Sequence, residues 1–408
     1  MIERKRFIIK TKSIPILFWI IIVYLLSGSP YTTINTEISM LVVALAFIAF
    51  PYILFVKKRQ TNGLLLLVVL VTIMILFPMI WHSEFQSRVY WRVLATAVLA
   101  SYLVKKYELN NIIRVFLKIM VIVSVVSLIG YILLNCTSLL NNLPTVKNVN
   151  GVEYGIGILF NYIKVYPERN CGIFWEPGIF ASYLTLAIAF ESITKPKSIS
   201  WFRIVLFVVT IITTTSSAGY ALLILTIGVV MLRDSKLSGY KKIFAMCIVF
   251  VIGATVLNLD SIILNTTLSN NEYLIKLTST RLSESSRVTA IFHNLSIFRK
   301  NPLFGAGSNS VLSQMSSWAD ISTTTYMLSI FGIMGLFYTI FIVWGIFSQK
   351  YINDFVKLLL FFILVLIVNK EPHINILFTW IIILGMASNT NAVYADTLEY
   401  NVDENKNI

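Results

Sequence analysis

Two groups of ionisable residues interrupt the apolar runs of this chain. One is Arg169 and Glu176 in RNCGIFWEPG, and the other is Lys370, Glu371 and His373 in NKEPH. Charged side chains beside hydrocarbon are costly, and those retained there point to function. A helical 169–176 would place Arg169 and Glu176, seven positions apart, on one face two turns from each other. Pro177 suits the first turn of a helix, with Glu176 at its positive dipole end, so a cap and an interfacial anchor form the structural alternative. Lys370, Glu371 and His373 suit acid–base work, or equally a plain loop with snorkelling side chains.

Cations recur further along. Arg281 and Arg287 flank SESS, and Arg287 begins a segment whose Val288, Ile291, Phe292, Leu295 and Phe298 fall at helical spacing. That pattern predicts an amphipathic helix over 286–300 lying on a membrane interface. Arg287 is read as a ligand for an anionic group, and Arg299 and Lys300 as solvated or headgroup-contacting. NPLFGAG follows, where Gly305 and Gly307 let the backbone bend or approach something closely. TTTSSAG at 213–219 splits an apolar stretch into halves too short for comfortable crossings. It predicts either a hairpin between two helices or a break lining a cavity, with Ser216 or Ser217 capping the second half. In the second case the free N–H groups would suit a phosphate.

No Walker A, HExxH, GxSxG or DxD pattern is present, so no metal or cofactor is expected. Cys136, Cys171 and Cys247 have neither CxxC nor metal spacing, and Cys171 reads as a small apolar filler. His82 and Glu84 read as a simple loop.

The elements that must position these residues are membrane helices. Hydrophobic residues make up 57% of the 408 and charged residues 13%, about half the charge of a water-soluble domain. Twelve candidate spans follow: 14–28, 37–56, 63–81, 89–104, 112–134, 177–193, 201–215, 218–232, 241–258, 324–347, 355–369 and 374–389. Of the 33 Lys and Arg, 22 fall on the side of the N-terminus, which predicts both termini in the cytoplasm. The net charge of +14 is largely this bias, and no soluble basic face for nucleic acid exists. The expected organisation is N-terminal helices over 1–134, an outer loop over 135–176 and central helices over 177–258. A large outer loop over 259–323, C-terminal helices over 324–390 and a cytoplasmic tail over 391–408 complete it.

RNCGIFWEPG resembles the R-x-x-G-x-F-x-E-P element of bacterial Wzy-type polysaccharide polymerases. TTTSSAGYALL (213–223) is similar to their helix break, and SSRVTAIFHNLSIFRKNPLFGAG (285–307) to the start of the large outer loop they share with O-antigen ligases. YMLSIFGIMG (326–335) and NKEPH…FTW (369–380) fit their C-terminal helices. The resemblance implies an all-α, GT-C-type membrane glycosyltransferase in the bacterial plasma membrane. It would polymerise undecaprenyl-pyrophosphate-linked oligosaccharide repeat units at the outer face, beside a flippase and a chain-length regulator. Arg169, Arg287 and Glu176 would then be catalytic, while Ser216, Ser217, Arg281, Gly305, Gly307, Lys370, Glu371 and His373 would bind substrate. Ligases carry a His–Asn pair before the helix corresponding to 324–347. Here that position reads ISTTTY, and His293-Asn294 lies upstream of NPLFGAG, which favours a polymerase. A ligase-like transferase and a lipid-linked oligosaccharide flippase are the alternatives. The flippase would call for an internal repeat or paired broken helices, and the sequence shows no repeat.

Overall fold

Leu-, Ile-, Val- and Phe-rich runs bounded by Ser, Thr, Gly and Pro fold into a helical bundle in the computed structural model. It describes residues 28–30, 45–48, 62–138, 140, 143–148, 151–157, 159–194, 198–233, 240, 286–314, 319–390 and 393. Nearly all of the expected spans 14–28 and 37–56, the whole of 241–258, Arg281 and the tail 396–408 lie outside the described residues.

The helices are α1 (Asn62–Trp81), α2 (Arg88–Tyr107), α3 (Leu109–Cys136), α4 (Pro177–Thr194), α5 (Trp201–Thr213) and α6 (Ser217–Leu232). After them come α7 (Ser286–Lys300), α8 (Ser308–Gln314), α9 (Thr323–Phe331), α10 (Leu336–Phe347), α11 (Asp354–Val368) and α12 (Leu377–Ser388). Among the described residues, four segments are long and apolar enough to cross a bilayer: Gly63–Trp81, Leu109–Cys136, Pro177–Thr194 and Thr323–Phe347. The protein is thus mostly helical and suited to a membrane.

Two helices form the core. All of α4 is buried, packed by α3, α5 and α6. Small residues permit this, since a Cβ on Gly219 of α6 would lie 2.7 Å from the Ala181 Cβ. α12 is buried from Leu377 to Ala387 against α1, α2, α3 and α10. Phe116, Phe378, Tyr183 and Phe174 stack in sequence with centroids 4.3, 5.3 and 4.5 Å apart, joining α3, α12 and α4 to the segment before α4.

Two features depart from expectation and one decides between two alternatives. First, the protein is not all-α: β1 (Thr145–Lys147), β2 (Glu153–Gly157) and β3 (Phe160–Ile163) form an antiparallel sheet. Alternating Tyr, Ile and Phe with intervening glycines are too short and polar for a span but suit pleated strands. Second, of the two expectations for 213–219 the hairpin holds: α5 and α6 are separate helices joined by a tight turn. The Arg233 guanidinium closing α6 lies 5.9 Å from the Trp201 ring that opens α5. Third, a real break interrupts Thr323–Phe347, where the 3₁₀ turn Gly332–Gly335 separates α9 from α10. Irregular backbone at membrane depth survives when protein satisfies it. Here the 301–307 turn does so: Ile333 N donates to Pro302 O at 2.8 Å and Ala306 N to Ser329 O at 2.8 Å.

Candidate active site

The segment 169–176 is a series of turns, so Arg169 and Glu176 do not share a helical face. Asn170 holds the segment in place. Its N–H donates to Thr213 O at 3.0 Å, and its amide nitrogen donates to Thr213 Oγ1 at 3.0 Å and Ser127 Oγ at 3.3 Å. Its Oδ1 accepts from Gly172 N at 3.0 Å. Arg169 is thereby laid against the α5–α6 turn, where its Nε donates to Thr215 Oγ1 at 3.1 Å. Thr215 sits at φ +46, a strained conformation for a β-branched residue, and such strain concentrates at functional sites.

Ser216 is the N-cap of α6, as its position before the apolar run predicts, and its Oγ accepts from Gly219 N at 3.2 Å. Ser217 is the first helical residue and half-buried. The Lys370 ammonium donates to the same Ser216 Oγ at 3.0 Å and to Gly178 O at 3.1 Å. One turn of chain therefore carries Arg169 on Thr215 and Lys370 on the adjacent Ser216, and both cations flank the positive end of α6. Gly178 makes room for this: a Cβ there would lie 2.7 Å from Lys370 Nζ and 3.2 Å from Glu371 Oε1. Lys370 and Glu371 are 6% and 5% exposed, so the 369–373 segment is no snorkelling loop.

Glu176 directly precedes Pro177, the first residue of α4, as expected for a helix start. It acts on the same neighbourhood. The Tyr154 hydroxyl on β2 is pushed up, first by burial and then by the charges of Glu176 and Glu371. The Cys171 thiol is pushed up by burial and by Glu176, with Arg169 opposing. Cys171 packs with Tyr154, Ile156 and Ile163 as a small apolar filler. Arg169, Glu176, Lys370, Glu371 and Ser216 therefore meet at one end of the bundle.

His373 stands beside them in a 3₁₀ turn, Nδ1 paired with Thr379 Oγ1 at 2.8 Å and Nε2 buried without a hydrogen-bond partner. Burial and then Lys370 hold its pKa well below the usual histidine range, so the ring is neutral. Its N–H donates to Thr323 Oγ1 at 2.9 Å, tying this segment to the start of α9.

Two further charges join this neighbourhood. Arg92 on α2 faces Asp320, in the 3₁₀ turn Ala319–Ile321, and Asp320 also feels Glu371. Arg92 was legible as an arginine inside an apolar helix. Asp320 had no local signal, because only the fold brings it there. Asn170 was a polar residue between two residues already singled out.

The glycine turn has a packing role. A Cβ on Gly305, at φ +69, would lie 2.2 Å from Ile330 O, and one on Gly307, at φ +78, would meet Glu84 Oε1 at 2.8 Å. Glu84 is more than a simple loop residue. Its carboxylate accepts from Ser308 N at 2.7 Å, Ser308 Oγ at 2.9 Å and Asn309 N at 3.1 Å, so the α1–α2 turn latches onto α8.

Arg287 lies in the first turn of α7, which packs on α9 and the Asp320 turn, but its side chain is outside the described residues. The helix exists as expected. Ala290, Asn294 and Ile297 are buried, while Phe292 and Leu295, with Arg299 and Lys300, are exposed. Asn294 ties the buried side to α9: its amide donates to Thr325 Oγ1 at 3.3 Å and its Oδ1 accepts from Ser329 Oγ at 3.2 Å.

Among the described residues, no group of three or more His, Cys, Asp or Glu is placed to hold a metal ion. Compared with protein families, characterised proteins and solved structures, the chain matches none of them.

Proposed function

We propose that this protein is a GT-C-type membrane glycosyltransferase that polymerises oligosaccharide repeat units carried on undecaprenyl pyrophosphate, at the outer face of the bacterial plasma membrane. One observation carries the reading: Arg169, Lys370, Glu176, Glu371 and the capped start of α6, from three separate stretches of chain, meet at one end of a membrane bundle. Transfer of a sugar from a lipid diphosphate leaves an anionic diphosphate, whose developing charge calls for cations and oriented N–H groups. Arg169 and Lys370 beside the α6 N-terminus supply them. The acceptor hydroxyl gives up a proton in the same step, and Glu176 and Glu371 are the carboxylates in place to take it.

Room for the lipid is consistent with this. An apolar pocket of ≈ 150 Å³ opens on the side of α1 and α2, lined by Phe47, Thr72, Trp91, Leu94, Ala95 and Val98. The Thr72 hydroxyl is turned onto Val68 O at 2.8 Å, which leaves hydrocarbon to face a polyprenyl chain.

The test is the polymer ladder from cells whose only copy is a variant. Arg169→Ala, Lys370→Ala and Glu176→Gln should leave single repeat units on the carrier while long chains disappear, and Arg287→Ala would show whether that side chain belongs to the site. Wild-type ladders from both Arg169→Ala and Lys370→Ala would overturn the reading. Lipid-linked units accumulating on the cytoplasmic side would point to a flippase instead.

A further inference from the structure

Asp320 and Glu371 are 51 positions apart, yet short polar bonds lock their two segments together. Asn369 Oδ1 accepts from Ser322 Oγ at 2.9 Å and from Thr324 N at 3.1 Å. Thr323 Oγ1 accepts from His373 N at 2.9 Å and donates to Glu371 O at 3.5 Å. The turn bearing Asp320 packs on the turn bearing His373, and α2, which carries Arg92, packs on that turn too. The segments bearing the two carboxylates are thus tied by bonds that do not involve the charges themselves, and the helix bearing the guanidinium packs beside them.

Resting on the polymerase reading, we propose that Asp320 is the proton reservoir of the reaction: Glu371 takes the acceptor's proton and hands it to Asp320, while Arg92 balances the pair. The acceptor O–H bond breaks as its oxygen bonds to C1 of the donor sugar. The C1–O bond to the diphosphate breaks, and its electron pair leaves with the lipid diphosphate. The proton passes to Glu371 and comes to rest on Asp320. Two carboxylates in one low-dielectric place cannot both stay ionised at little cost, so one gains proton affinity. Here that one is Asp320, raised to about 6 chiefly by burial, with a backbone hydrogen bond and Arg92 opposing and Glu371 adding the smallest push. At neutral pH it is therefore ionised and able to receive a proton. The groups facing it are Arg92 from α2, Glu371 from the 369–373 segment and Tyr326 from α9. α7, the other helix packed on the turn, carries Arg287 and His293.

Asp320 acts through Glu371, so it is a positioning residue and its signature is a pH profile. Membranes bearing the protein and its own lipid-linked repeat units should lengthen chains faster as pH rises through about 6. Asp320→Asn should slow lengthening about tenfold at neutral pH and erase that acid limb, whereas Asp320→Glu should keep a limb at a shifted pH. Independently of turnover, ¹³C carboxyl NMR of the purified protein in nanodiscs should show an aspartate titrating near 6 that vanishes in Asp320→Asn. An Asp320→Asn protein with the wild-type acid limb, or no such titrating signal in the wild type, overturns the proposal. Should the wild type lengthen no chain while the NMR signal is present, the polymerase reading has failed instead.

Discussion

The two ends of the bundle treat buried charge in opposite ways. At one end, Glu191, near the close of α4, is fully buried and meets the Arg203 guanidinium at 2.9 Å, with Ser200 N donating to its other oxygen at 3.3 Å. Gln349, also buried, donates to Gly345 O, Met386 O and Asn389 O at 2.9, 2.9 and 3.0 Å and accepts from Val393 N at 3.2 Å. Glu191 and Arg203 lie 12 residues apart, on helices joined by one short loop. At the other end, Lys370 reaches across 154 and 192 residues to Ser216 and Gly178, beside a strained Thr215. Arg169, Glu176, Glu371, Arg92 and Asp320 gather around it. A helix joint needs one local pair. Collecting several charges of both signs in one place costs desolvation that folding alone does not require, so the gathered end is where function belongs.

The sharpest way to break this comparison is to remove the scaffold on which the charged end rests. Gly305→Ala drives a Cβ into the Ile330 carbonyl at an unfavourable φ, and should destabilise the protein by roughly 4 kcal/mol or more, read as loss of folded protein in detergent. Lys370→Ala should lower chain lengthening by about 10²- to 10³-fold with a much smaller change in melting temperature. Equal loss of stability would demote Lys370 to a joint like Glu191. Glu191→Gln should do the reverse, costing about 2 kcal/mol in thermal unfolding, since Arg203 is 28% exposed and recovers some hydration, while activity per folded molecule stays unchanged. Ser216→Ala removes a cap and a Lys370 partner, for about 1 kcal/mol of stability and a modest activity loss.

The last effect is in the pH dependence of stability. His373 is held below the usual histidine range, so the unfolded chain binds its proton at a higher pH than the folded one. Stability therefore falls as pH drops below about 6.5, histidine's unperturbed pKa, and His373→Gln should flatten that slope in denaturation curves across acid pH.

Helix positions were legible because hydrocarbon length and apolar runs are local properties. The starts at Pro177 and Ser216 were legible because N1 proline and a serine cap act within one turn. The side of α7 that packs on protein was not legible because Asn294 is paid in hydrogen bonds to α9, partners a single-helix pattern does not contain. The sheet over 145–163 lacked the length of a span, and its pairing depends on residues that meet only across a turn. The break in the 324–347 span was hidden in GIMG, where glycine signals freedom but not which turn will fill the gap.

By itself, the sequence determined that this is a helical, membrane-suited chain whose retained charges are concentrated in a few short segments. Those facts follow from nearest-neighbour propensities and from the cost of charge in hydrocarbon. Which charges meet was decided only by tertiary structure. Asp320 comes to Glu371, and Lys370 to Ser216, through polar bonds across 50 to 150 positions that no periodicity encodes.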